Sequence, residues 1–260
     1  MMPRLMSRVF RRQREFQTLN QRVLYVHIPK CGGTSLRHAI HEACFPPESP
    51  SVLWLNSRAS AEAARLVGRG LLEYRQLLLH YFLMQRQVQF ITGHTGISSA
   101  TCELCREQWF LMTVLRHPVD RWYSHYFYNR ASNSISFPGF RVPESIEEYA
   151  FSEAGVGLGN LYVRHLTAGT DPADPTAAAI ETLDRMDLVG ILEYPEDLQT
   201  RIQHQLGLKL DLPVLNSNPG RSEDQKREVT PELHARIESL CQPDMEVYRH
   251  ALKTAGLPQP

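Results

Sequence analysis

The sequence predicts an α/β domain with a central, mainly parallel sheet flanked by helices. Two observations carry that prediction. Short aliphatic and β-branched runs at 23–28, 88–92, 109–115 and 188–192 read as buried strands. Stretches with helical spacing lie between them, which is the alternation expected of a parallel sheet with crossover helices. No stretch rich in Pro, Gly or Ser divides the chain, so residues 21–256 read as one domain behind a basic arm at 1–20.

Taken in order, residues 1–20 are polar and basic and suit a short helix or a loose arm. The strand at 23–28 ends at Pro29, and the turn at 32–35 feeds a helix over 36–40. A long helical pattern covers 71–83, the second strand 88–92 closes at Gly93, and 102–108 reads as a helix. The third strand, 109–115, leads to a helix over 119–128 opened by Pro118. After a loop at 131–143 come a helix at 158–166, a Gly/Asp/Pro loop at 169–175 and a helix at 177–186. The fourth strand at 188–192 precedes a helix at 196–206. The segment 216–224 reads as a loop, and Pro231 and Pro243 open two final helices.

Bulk composition excludes several classes. The 260 residues carry 28 basic and 28 acidic side chains, so the basic excess of a nucleic-acid binder is absent. The basic start has no apolar core of the kind a secretory signal needs, and no run approaches the ~20 apolar residues of a membrane span. A cytoplasmic protein is expected, and the arm is compatible with peripheral contact at an anionic membrane surface. Five cysteines cannot all pair, and Cys102-x-x-Cys105 suits either free thiols or half of a metal or redox site that no second pair completes.

The turn after the first strand, Pro29-Lys30-Cys31-Gly32-Gly33-Thr34-Ser35, has the chemistry of an anion cradle. Gly32 and Gly33 let the backbone approach closely, the following helix presents its N-terminus, Lys30 adds charge, and Thr34 and Ser35 add donors. The same segment also fits an ordinary strand–turn–helix with capping hydroxyls. It is not a Walker loop, because the lysine precedes the glycines.

A second anion element follows the third strand. Arg116 stands at the strand's carboxyl end, a costly position for an arginine that meets no anion, and Ser124 lies two turns into the next helix. Asp120 suits a pair with Arg121 or a helix cap. Trp122 and its aromatic neighbours suit core packing, as does Trp54, although either tryptophan could stack a base or sugar.

Together these two segments resemble the nucleotide signatures of sulfotransferases that use 3'-phosphoadenylyl sulfate (PAPS), most nearly the Golgi carbohydrate branch with its uronyl and heparan 2-O-sulfotransferases and bacterial relatives. The loop at 29–35 resembles that family's 5'-phosphosulfate element, and Arg116-His117-Pro118-Val119-Asp120-Arg121 with Ser124 its 3'-phosphate element. Looser agreement includes Asn160 with Arg164, Val189-Gly190, and a closing loop at 216–222. The resemblance implies a P-loop-like sulfotransferase fold and a PAPS site without a metal. In it Lys30 meets the leaving phosphate and Gly32, Gly33, Thr34 and Ser35 hold the 5'-phosphate. Arg116 and Ser124 would hold the 3'-phosphate, and Arg221, with Ser217 or Ser222, would close the lid. The implied acceptor is a hydroxyl of a glycan or glycolipid.

His94, in the open sequence Gly93-His94-Thr95-Gly96 after the second strand, is the candidate general base, because imidazole titrates in the useful range. The resembled branch uses a histidine at a corresponding position. Part of that branch has a second histidine where this chain has Thr92. His27 reads as structural, His38 and His41 lie on the next helix, and His117 and His125 flank the phosphate element. Glu42 is a weaker rival base. Two other functions remain open from sequence: a P-loop-like kinase or phosphotransferase using ATP and Mg²⁺, and a non-catalytic nucleotide-binding scaffold.

Overall fold

The computed structural model describes residues 15–131, 142–143, 145–212 and 228–259. Five strands, β1 Arg22–Val26, β2 Val52–Leu55, β3 Phe90–Gly93, β4 Trp109–Leu115 and β5 Leu188–Ile191, form a sheet in the order β2-β3-β1-β4-β5. Every pairing is parallel. Four strands coincide with the expected apolar runs. β2 is an addition. It is a short edge strand whose Trp54 is 56% exposed, so it lacks the continuous burial signal of its neighbours.

Strand alternation divides the core in two. Val23, Tyr25, Phe110, Met112 and Val114 face α1 Gly33–Cys44 and α10 Pro195–Leu206, whose Leu36, Ile40, Leu198 and Ile202 pack against them. Leu24, Val26, Leu111 and Leu115 face the other layer, with α3 Leu71–Leu83, α5 Pro118–Ala131, α8 Leu161–Leu166, α9 Pro175–Asp184 and α12 Gln242–Thr254. The remaining helices are α2 Ser57–Leu66, α4 Ser99–Cys105, α6 Ile146–Phe151, α7 Glu153–Gly159 and α11 Pro231–Leu240. None of the helices among the described residues is long and apolar enough to cross a membrane.

The expected helix at 158–166 is broken at Asn160 into α7 and α8. The cause is Asp244, fully buried on α12, whose carboxylate accepts from Tyr162 N at 2.9 Å and Val163 N at 3.1 Å. A buried carboxylate seated on those N–H groups starts a new helix there. Residues 15–20 are clasped to the domain, because Gln17 N donates to Ala43 O and its side chain exchanges hydrogen bonds with Lys209. Residues 1–14 and the loop at 216–222 lie outside the described residues.

The topology places a crevice. The chain leaves β1 for α1 on one face of the sheet and leaves the adjacent β4 for α5 on the other. Such a divergence opens a cleft beyond the carboxyl ends of the two strands.

Candidate active site

Lys30 and Gly32 both adopt left-handed backbone, at φ 66° and 73°. This tight turn delivers the chain to the start of α1. Gly33 is obligatory there, since a Cβ would lie 2.3 Å from His27 Nε2 and 2.6 Å from Tyr25 Oη. The first turn of α1 has neither a side-chain cap nor an acidic residue, so among the described residues no side chain caps its leading N–H groups. Thr34 is exposed and Ser35 partly exposed at this terminus.

Arg116 follows β4, next to β1 in the sheet. Among the described residues its guanidinium has no hydrogen bond or ion pair. Lys30 likewise has no carboxylate partner among them; its Nζ lies 3.7 Å from the Tyr128 ring centroid. Burial and the nearby Arg116 charge lower the Lys30 ammonium to about 8. Two cations therefore share the crevice without a counter-ion among the described residues. The Tyr162 hydroxyl aligns the two halves. It accepts from Arg116 N at 3.0 Å, donates to Arg116 O, and lies 3.5 Å from Cys31 Sγ in the β1–α1 turn. Ser124 is buried on α5, and no hydrogen bond joins it to Arg116.

Arg121, in the same short segment as Arg116, has another fate. It is fully buried, donates to Leu158 O and pairs with Asp244 at 3.5 Å. Asp120, read from sequence as a partner for Arg121 or a helix cap, lies 4.0 Å from His117 Nδ1, and the carboxylate paired with Arg121 is that of Asp244.

His94 stands just past β3, on the other side of β1. Its carbonyl accepts from Arg75 Nη1 at 2.8 Å, and Arg75 also donates to Ser60 Oγ and Ser57 O. Arg75 is 4% exposed, so α3 braces the His94 loop from inside the fold. His94 keeps part of its surface open, yet the protein packed around the ring, then the charges of Arg75, Arg37 and Lys30, lower it to about 4. His27 meets it edge-on at 4.5 Å between ring centroids. His27, His125 and His165 are depressed as well, each chiefly by burial. The site is thus ringed by neutral imidazoles and fixed cations. Among the described residues no group of three or more His, Cys, Asp or Glu is placed to hold a metal ion.

No family model matches the chain. It is similar to galactose-3-O-sulfotransferase 2 of Mus musculus, with 26% identity over 159 residues, 56% of this chain and 39% of that protein. The match thus spans about two fifths of the relative's length. Among solved structures, a sulfotransferase from Alicyclobacillus acidocaldarius aligns with TM-score 0.44 and 12% identity over 92% of this chain and 97% of that one. Mouse sulfotransferase SULT7A1 complexed with PAP aligns with TM-score 0.43 and 13% identity over 86% of this chain and 84% of that one.

The sequence-predicted residues divide clearly. Lys30, Gly32, Gly33, Thr34, Ser35 and Arg116 converge on the crevice, and His94 lies beyond β3 where Lys30's charge reaches it. Arg221, Ser217 and Ser222 fall outside the described residues. Sequence reasoning missed Tyr162 and Arg75, which act by hydrogen bonding across 46 and 19 positions of chain. It favoured core packing for Trp54 over stacking on a base or sugar, whereas the indole is largely exposed. Cys102 and Cys105 are buried free thiols, pushed up by burial to about 12 and about 11.

Proposed function

We propose that this protein is a sulfotransferase that moves the sulfuryl group of PAPS to a hydroxyl of a carbohydrate or glycolipid. One observation carries the reading: Lys30, Arg116 and the uncapped start of α1 meet in one crevice without a carboxylate among the described residues. That donor set fits phosphate groups, which need N–H donors and fixed cations together. The motifs at 29–35 and 116–124 and the similarity to a galactose sulfotransferase support the same choice.

When bound, PAPS supplies an activated sulfuryl group. The chain's own residues do the rest. Lys30 and the N–H groups of Gly33, Thr34 and Ser35 hold one phosphate and stabilise charge that develops there. Arg116, with Ser124 on α5, serves the second phosphate, and Arg221 the lid. His94 is neutral at pH 7 and accepts the acceptor hydroxyl's proton at a ring nitrogen. The cations around it oppose that protonation in the free protein. An anion seated against Lys30 offsets them, so His94 is the stronger base in the loaded site.

Calorimetric titration with adenosine 3',5'-bisphosphate and, separately, ATP with Mg²⁺ tests the reading. The expected result is preference for the bisphosphate, weakened by Arg116→Ala, with sulfation of a sugar acceptor falling about 10²–10⁴-fold in His94→Ala. Preference for ATP with Mg²⁺, or indifference to Arg116, would overturn it.

A further inference from the structure

A third uncompensated cation lies on the other side of β1. Arg37, one turn into α1, carries its guanidinium carbon 3.8 Å from the centroid of the Trp54 ring. It donates to His38 Nε2 at 2.8 Å and has no carboxylate partner among the described residues. Its charge acts on Tyr25, His27 and His94.

The sheet register shows what this group faces. Tyr25 pairs with Thr92, and Thr92 with Trp54, so the three residues form one row across β1, β3 and β2 on the face covered by α1. His27 and His94 follow two positions later. The row therefore leads from the candidate base outward to the β2 edge, away from Arg116 and β4. Tyr25 Oη, Thr92 Oγ1 and His27 Nδ1 are buried there without hydrogen-bond partners among the described residues. Trp54, at the row's outer end, is the exposed tryptophan of the three; Trp109 is 3% exposed and Trp122 fully buried.

A guanidinium stacked on an indole keeps its in-plane N–H donors for a planar or tetrahedral oxyanion. A single exposed aromatic beside it offers a face for the apolar side of a sugar ring. We propose that Arg37 and Trp54 form an acceptor subsite for an oxyanion, a carboxylate or sulfate ester, on the sugar next to the one presenting the reacting hydroxyl. The inference rests on the sulfotransferase reading and narrows its substrate to acidic glycans.

Trp54 provides the readout without turnover, since the other two tryptophans are buried. With adenosine 3',5'-bisphosphate bound, tryptophan emission is titrated with lactose, lactobionate and lactose 6-sulfate. The two acidic probes should half-saturate at about tenfold lower concentration than neutral lactose, the gain of one charge-assisted contact. Arg37→Met should erase that advantage and Arg37→Lys retain part of it. Bisphosphate affinity in both variants should stay within about twofold, as for independent sites. A response to lactobionate alone identifies a carboxylate, and to the sulfate ester alone a sulfated sugar; either supports the subsite. Equal responses to neutral and acidic probes, no response to any probe, or no effect of Arg37→Met overturns it while bisphosphate still binds. Failure of the wild type to bind bisphosphate removes the sulfotransferase reading itself.

Discussion

Two helix starts in this protein solve the same electrostatic problem in opposite ways. α8 begins on a carboxylate of its own chain: Asp244 accepts its first N–H groups, and Arg121 stands behind it. α1 begins on nothing internal, with Lys30 and Arg116 beside it and no carboxylate capping its first turn. The first is closed by an anion the fold supplies, and the second, on the proposed function, takes its anion from outside. The cations beside the two starts come from one short segment, since Arg116 and Arg121 are five positions apart yet serve different ends. Local sequence marks a cation; only tertiary partners decide whether it is structural or free.

The largest test of this contrast removes the internal anion. Asp244→Ala leaves Arg121 charged in the core and should cost about 3–5 kcal/mol, measured as a fall in denaturation midpoint. Arg116→Ala should do the reverse. Its stability should stay within about 0.5 kcal/mol of the parent, because no ion pair is lost. Bisphosphate affinity should fall by about 10- to 100-fold, as for a lost charge-assisted hydrogen bond. Equal destabilisation by both substitutions would erase the distinction. Tyr162→Phe sharpens it, because that hydroxyl ties the end of β4 to the turn that opens α1. Loss of its hydrogen bonds should cost about 1–3 kcal/mol of stability and also weaken bisphosphate binding in calorimetry.

The last test is in pH. His94 is lowered to about 4, His125 and His165 to about 3, and His27 well below its ordinary value. All four bind protons less readily in the folded than in the unfolded chain. Their contribution is therefore fully present above about pH 6.5 and is lost as pH falls toward 4 and then 3. Each should lower stability by up to about 1.4 kcal/mol per pH unit within that window. Asp244, raised by burial to about 7, acts with the opposite sign in the same window, so chemical denaturation at pH 7, 6, 5 and 4 is compared between the parent and His125→Gln; equal slopes would show that His125 is not held neutral by burial in solution.

The sheet was legible where burial is continuous. β1, β3, β4 and β5 are apolar runs, while β2 carries an exposed tryptophan and looks like loop. The turn into α1 was legible because 29–35 concentrates glycines, lysine and hydroxyls in seven consecutive positions. Arg75 and Tyr162 were not, because an arginine and a tyrosine in helices are ordinary until the fold brings them to His94 O and Arg116. The break at Asn160 was hidden for the same reason, since its cause, Asp244, lies on the last helix.

The left-handed backbone of Lys30 has a consequence for how the protein should be handled. A lysine at φ 66° is conformationally unfavourable, and here it also sits near a second cation. Backbone strain and like charge are thus held in the same turn. Any multivalent oxyanion that fills the turn should raise the melting temperature, equivalent to about 2.7 kcal/mol at a hundredfold excess over its dissociation constant. Phosphate and sulfate buffers would then mask the shift that a thermal screen for nucleotides reads, and a buffer of weakly coordinating anions becomes part of that screen.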